Sequence, residues 1–194
     1  MNIKLNSFVV ADPRKCIGCR ACETACAAVH SGSPKTAGTM TIPIIPRLYL
    51  VKTVGITIPV QCRHCEDAPC ANACQERAIF QRNSTIVVNE DACVGCKTCL
   101  LACPFGAIDL VPQFKDGEEV IQRLLKSETE AGLEDKVKTI ASKCDLCYNR
   151  GGGPACVEVC PEHALEIVVP LAEKKKRTEA AALSLLESVT KFLS

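Results

Sequence analysis

Cys93-Val94-Gly95-Cys96-Lys97-Thr98-Cys99-Leu100-Leu101-Ala102-Cys103-Pro104 decides the fold. Four thiols at C-x2-C-x2-C-x3-C spacing followed by proline form the bacterial ferredoxin run, which wraps three corners of a 4Fe-4S cubane and sends its last cysteine to a second one. Working outward, the remaining twelve of the sixteen cysteines fall into three more quartets with nothing left over: Cys16, Cys19, Cys22, Cys26; Cys62, Cys65, Cys70, Cys74; and Cys144, Cys147, Cys156, Cys160. Four ligands per cluster make sixteen thiolates the complement of four 4Fe-4S clusters.

Spacing between quartets sets the expected pairing. Cys74 and Cys93 are separated by 18 residues, whereas Cys26 to Cys62 encloses 35 and Cys103 to Cys144 encloses 40. The middle two quartets therefore read as one compact two-cluster unit, and the outer two pair with each other. Exchange of the fourth cysteine within each pair predicts four ligand sets: Cys62, Cys65, Cys70 with Cys103; Cys93, Cys96, Cys99 with Cys74; Cys16, Cys19, Cys22 with Cys160; and Cys144, Cys147, Cys156 with Cys26. The expected fold is α+β. Residues 61–109 form an inner ferredoxin-like module, residues 1–60 and 110–170 an outer one with insertions, and residues 171–194 a C-terminal amphipathic helix.

A second echo follows the fourth cysteines: Cys74-x3-Ala78-Ile79, Cys103-Pro104-x2-Ala107-Ile108 and Cys160-Pro161-x2-Ala164-Leu165. Ile86 to Val88 and Glu166 to Val169 are β-branched stretches suited to small antiparallel strands. Short helices are expected from Ala21 to Val29 and from Thr98 to Cys103, which lack internal breakers. In the first insertion, a Gly, Ser and Pro loop from Ser31 to Gly38 precedes a hairpin between Arg47 and Val60. In the second, Val120, Ile121, Leu124 and Leu125 make the stripe of a short amphipathic helix from Glu118 to Lys126.

Composition narrows the function classes. The chain has 194 residues with no Trp, two Tyr and five Phe, so the rings that dominate ordinary cores are scarce and inorganic clusters have to replace much of that packing. The formal charge is +1 with neutral thiols. Sixteen thiolates and four oxidised cluster cores bring the loaded protein to roughly −7, which disfavours nucleic acid. The basic run Lys174 to Arg177 reads as a solvated helix face. Neither a signal peptide nor a twin-arginine pair precedes the first quartet, and no apolar stretch is long enough to span a bilayer, so a reducing, cytoplasmic setting is expected.

Zinc is the competing use of C-x2-C pairs, but the third closely spaced cysteine overcrowds one tetrahedral ion and suits a cubane. No quartet has the C-x3-C-x2-C order of radical chemistry. With only His30, His64 and His163 available, no acid-base constellation stands out and no catalytic residue is expected. His64 reads as surface-exposed, with a hydrogen bond to cluster sulfur as the alternative. Lys97 and Lys143 read as solvated lysines, with electrostatic tuning of potential as the alternative. Pro69, Pro104, Pro154 and Pro161 are suited to fixing the cluster loops.

Cys16-Ile17-Gly18-Cys19-Arg20-Ala21-Cys22, Gln61-Cys62-Arg63-His64-Cys65-Glu66-Asp67-Ala68-Pro69-Cys70, the third quartet and Lys143-Cys144-Asp145-Leu146-Cys147 together resemble the four-cluster ferredoxin-like subunits associated with molybdenum and tungsten oxidoreductases. In particular they are similar to the small iron-sulfur subunits of formate hydrogenlyase and hydrogen-dependent carbon dioxide reductase. The resemblance covers about residues 8 to 169. It implies crossed pairing of quartets and an electron-transfer subunit that relays single electrons between a molybdenum or tungsten catalytic partner, active on formate or carbon dioxide, and a hydrogenase or other redox partner. A subunit of a tungsten aldehyde oxidoreductase, a free polyferredoxin and an iron-sulfur assembly factor are the alternatives. Gln75 stands where many such subunits have proline. Membrane-bound members often end in a transmembrane helix, whereas this tail offers Ala182, Leu185, Leu186, Val189, Phe192 and Leu193 at helical spacing, a stripe that needs an apolar partner on its own chain or another subunit.

Overall fold

A computed structural model describes residues 5–31 and 42–193. Its elements in chain order are β1 (Phe8–Ala11), α1 (Ala21–His30), β2 (Tyr49–Lys52), β3 (Thr57–Val60), α2 (Pro69–Asn72), β4 (Ile79–Arg82), β5 (Thr85–Val88), α3 (Thr98–Ala102), β6 (Asp109–Pro112), β7 (Phe114–Lys115), β8 (Glu118–Glu119), β9 (Ile121–Thr129), β10 (Gly132–Val137), β11 (Thr139–Ser142), α4 (Ala155–Glu158), β12 (Leu165–Val168) and α5 (Pro170–Leu193). This is a ferredoxin-like α+β fold built from two-stranded antiparallel ribbons and short helices.

The ribbons explain why such short elements hold. β4 and β5 form a tight hairpin around Asn83 and Ser84, both with φ in the left-handed region, as a type I′ turn requires. β1 pairs with β12, bringing the start of the chain against the segment after the last quartet, with Val9 opposite Ile167. β6 pairs with β11, so Leu110 faces Ala141 and the second insertion is pinched closed at its base. Among the helices, α1 packs on α4 and α2 on α3.

Two apolar cores result. One gathers Val9, Leu48, Leu146 and Leu165 around Cys22, Cys26, Cys62, Cys144 and Cys156. The other gathers Ile79, Ile86, Ile108 and Ile140 around Cys70, Cys93 and Cys99. Cys103 packs against both. Aromatic rings are absent from either, and among the described residues nine of the 25 buried apolar ones are cysteines. Sulfur therefore occupies the volume that rings fill elsewhere.

Local expectations meet the structure element by element. α1 runs one residue past Val29, and α3 stops at Ala102 because Cys103, ahead of Pro104, is extended (φ −78°, ψ 112°). The first-insertion hairpin is β2 paired with β3. Beyond Ser31, the Gly, Ser and Pro loop lies outside the described residues. The helix expected from Glu118 to Lys126 is replaced by β8 and most of β9. Asp116 and Gly117, at φ 53° and 88°, make a β7–β8 hairpin, and β9 finds a longer partner in β10. The stripe was no burial signal, since Leu124 and Leu125 are 98% and 52% exposed. α5 stands almost wholly exposed, Leu185, Leu186, Val189 and Phe192 included, and Lys174 to Arg177 lie on it in solvent. Among the described residues no helix is long and apolar enough to cross a membrane.

Candidate iron-sulfur sites

Backbone strain shapes each cysteine loop. Gly18 and Arg20 flank Cys19 with φ 74° and 61°, and Gly95 and Lys97 flank Cys96 with φ 68° and 72°. His64 and Ala68 in the second quartet, and Leu146, Cys147 and Gly153 in the fourth, also take positive φ. Left-handed residues placed this way turn peptide N–H groups toward one side, the arrangement of an anion cradle. Glycine is needed at position 95 for a second reason: a Cβ there would come within 2.5 Å of the Thr139 carbonyl oxygen.

Thiols from different quartets come together. One apolar cavity is bounded by Cys16, Cys19, Cys22 and Cys160, closed by Ile17, Leu50 and Leu165. A second is bounded by Cys74, Cys93, Cys96 and Cys99, closed by Ile79 and Val94. Cys103 lies near enough to Cys65 and Cys70 to bear on their ionisation, and Cys26 bears likewise on Cys144, Cys147 and Cys156. None of the sixteen cysteines forms a disulfide.

Peptide N–H groups point at several of these sulfurs. His64 N donates to Cys62 Sγ and Leu146 N to Cys144 Sγ, both at 3.4 Å, so the first cysteine of each loop is served from two residues on. Ala107 N donates to Cys103 Sγ at 3.4 Å and Ala164 N to Cys160 Sγ at 3.3 Å. At Cys103 and Cys160 the Cys-x3-Ala echo is thus a hydrogen bond. Arg47 N reaches Cys26 Sγ and Ala141 N reaches Cys93 Sγ, each at 3.3 Å.

Without a cation, this setting opposes the thiolate form. Burial pushes Cys22 and Cys70 up to about 11 and Cys156 up to about 12, and drives Cys144 well above the ordinary thiol value. At Cys144 the two meet, since burial drives its thiol well above the ordinary value while the Leu146 N–H is aimed at its sulfur, a combination that suits a thiolate held by a metal. An orphan atom agrees: His64 Nε2 is buried with no hydrogen-bond partner. The residues fit 4Fe-4S clusters.

Two sequence expectations are corrected here. His64 is not on the surface but 1% exposed, and Lys143 is not solvated but 2% exposed. Lys143 Nζ donates to the carbonyls of Ile86 and Cys144. Lys97 is exposed, as expected. Burial and the Lys143 charge together press His64 down to about 3, so it is neutral.

Asp145, inside the fourth quartet, carries a role the sequence did not mark. Its carboxylate accepts from His30 Nε2 at 3.0 Å, Arg47 Nη1 at 2.9 Å and the Cys147 N–H at 2.9 Å. Burial opposes a charge on His30, but its bonds to Asp145 and to Cys26 outweigh that and lift it to about 9. The only available signal was a lone charge between two cluster cysteines, and Arg47 lies 98 positions away.

Two 4Fe-4S dicluster domain models match the chain, over residues 53–121 and 92–165. The first encloses the second and third quartets, and the second runs from the third to the fourth. The electron transport protein HydN of Escherichia coli is 41% identical over 181 residues, covering 90% of this chain and 98% of that one. The chain belongs to the ferredoxin-like 4Fe-4S electron-transfer subunits. Hydrogenase-4 component A of Escherichia coli is 40% identical, covering 93% of this chain and 91% of its own, and formate hydrogenlyase subunit 2 of the same organism is 37% identical, covering 89% of each. The dicluster matches set the cluster type, and sixteen cysteines at four per cluster make four 4Fe-4S clusters.

Proposed function

We propose that this subunit relays single electrons between a molybdenum or tungsten catalytic subunit acting on formate or carbon dioxide and a hydrogenase or other redox partner, and performs no bond chemistry itself. The proposed ligand sets are Cys16, Cys19, Cys22, Cys160; Cys144, Cys147, Cys156, Cys26; Cys62, Cys65, Cys70, Cys103; and Cys93, Cys96, Cys99, Cys74. The observation that supports this reading is the crossed placement of thiols, with Cys160 lining one cavity beside Cys16, Cys19 and Cys22, and Cys74 lining another beside Cys93, Cys96 and Cys99. The first and fourth quartets with β1 and β12 form the outer module, and residues 61–109 the inner one.

When bound, each cluster takes up and gives back one electron. The chain sets the spacing of the sites, dries them with Ile, Leu and Ala side chains, and aims N–H groups at their sulfurs. Names borne by relatives, formate hydrogenlyase subunit 2 and hydrogenase-4 component A, support the choice of partners. Sixteen cysteines without a disulfide among them suit a reducing cytoplasm. The exposed apolar residues of α5 support assembly through the tail, onto a partner subunit or a second copy.

The test is anaerobic capture of the chain from its native cells, with mass spectrometry of what co-purifies, beside iron and acid-labile sulfide counts. A formate-active or hydrogen-active subunit and about four clusters per chain are expected. Isolation of a loaded chain without any partner points to a free carrier. Clusters that pass to an apo-enzyme point to an assembly factor.

A further inference from the structure

Beyond the thiols, two almost fully buried ionisable side chains meet on one residue. The Ile86 N–H donates to His64 Nδ1 at 3.1 Å, and the Ile86 carbonyl accepts from Lys143 Nζ, which also donates to the Cys144 carbonyl at 2.8 Å. His64 lies inside the Cys62-x2-Cys65 loop, Ile86 on β5, and Lys143 immediately before the fourth quartet. The three therefore tie the second quartet to the fourth.

Hydrogen bonding fixes the imidazole. An Nδ1 that accepts from a peptide N–H carries a lone pair, so the ring proton sits on Nε2. That Nε2–H is buried and meets no acceptor among the described residues. A buried donor left unpaired costs about 1–3 kcal/mol. In a C-x2-C cluster loop, the acceptor within the site is sulfur, either sulfide or cysteinate.

Lys143 has an equally specific setting. A buried ammonium is retained where anions surround it. Cys65 and Cys70 of the second quartet and Cys144 of the fourth all lie within electrostatic reach of Nζ. The second-quartet site is the one approached by both the cation and the imidazole donor.

Given the ligand sets proposed above, on which this rests, we infer that Lys143 and His64 together raise the reduction potential of the cluster held by Cys62, Cys65, Cys70 and Cys103 above those of the other three. Reduction adds one electron and no proton, so the site gains one negative charge. A fixed cation and a fixed N–H donor both stabilise that charge. Cys103 packs against both cores, so this site stands where they meet.

Lys143→Gln keeps an amide donor for the carbonyls while removing the charge. His64→Asn places Oδ1 where Nδ1 accepts and puts nothing at Nε2, and Asn tolerates the left-handed backbone of this position (φ 49°). Each full-length variant and the native chain are purified without oxygen, counted for iron and sulfide, and titrated with dithionite under low-temperature EPR. In the native chain one signal is expected to appear at a potential above the other three. Both substitutions lower that same signal by at least tenfold in its reduction constant, about 59 mV for one electron, with iron content unchanged. Fully loaded variants whose four potentials match the native ones, or substitutions that move two different signals, overturn the inference. If Lys143→Gln does not load, native potentials that do not differ, or a highest signal left unmoved by His64→Asn, overturn it equally. Iron near zero in the native chain instead removes the ligand assignment on which it rests.

Discussion

Arg47 Nη1 stands 2.9 Å from Asp145 Oδ2, fastening the first insertion to the interior of the fourth cysteine loop. His30, at the end of α1, holds the other oxygen at 3.0 Å, and Arg47 also reaches Glu90 at 2.8 Å. One buried carboxylate thus joins three separate segments.

Asp145→Asn preserves shape but removes the anion that His30 and the Arg47 guanidinium share. Breaking a buried pair costs about 3–5 kcal/mol, less here because Arg47 is partly solvated, so a loss of about 2–3 kcal/mol is expected. For a domain of this size that lowers the thermal midpoint by about 5–10 °C. Calorimetry of the loaded protein checks it.

Gly95→Ala and Gly18→Ala are expected to differ. Both force alanine into left-handed backbone at about 1–2 kcal/mol. At position 95 the new methyl also meets a backbone carbonyl at 2.5 Å, whereas at position 18 it meets the movable Thr57 Cγ2 at 3.1 Å. G95A should lose cluster content on purification, and G18A should retain it with a lower melting midpoint. Iron analysis beside a thermal melt reads both.

Removal of iron by a chelator under oxidising conditions is expected to unfold both cores rather than leave an empty shell. Their packing runs through cysteine, and no aromatic side chain stands in for it. Far-UV circular dichroism should collapse in step with the loss of visible absorbance. Persistence of native ellipticity after full iron loss would contradict this.

Truncation after Val169 removes α5, of which only Pro170 and Glu173 are half-buried and the other described side chains are exposed. Cluster content is expected to stay constant while assembly is lost. Light scattering and partner capture read the second effect. An unchanged particle size together with unchanged capture would remove α5 from the interface.

Much of this fold was legible because metal-ligand spacing is rigid. Thiols two or three residues apart leave little freedom, so the quartets, α1, α3 and the strands after Cys74 and Cys160 follow from local sequence. The Cys-x3-Ala echo was visible as a pattern, and the Ala107 and Ala164 hydrogen bonds supply its cause. Long-range polar contacts were not legible. Nothing local distinguishes Lys143, buried against Ile86, from a lysine in solvent, and Asp145 meets Arg47 only through the tertiary fold. The second insertion misled because apolar residues two pairs apart suit a helix as well as a strand edge, and the Asp116-Gly117 turn decided between them.

The pairing of β1 with β12 has a consequence for biosynthesis. A ribosome exposes Cys16, Cys19 and Cys22 early, yet Cys160 and the strand that seals them emerge only near the end of translation. The second and third quartets, by contrast, leave the exit tunnel close together. With the proposed ligand sets iron loading is staggered, and the nascent chain carries four uncommitted sulfhydryls, Cys26 among them, for most of its elongation, the interval in which oxygen does it most harm.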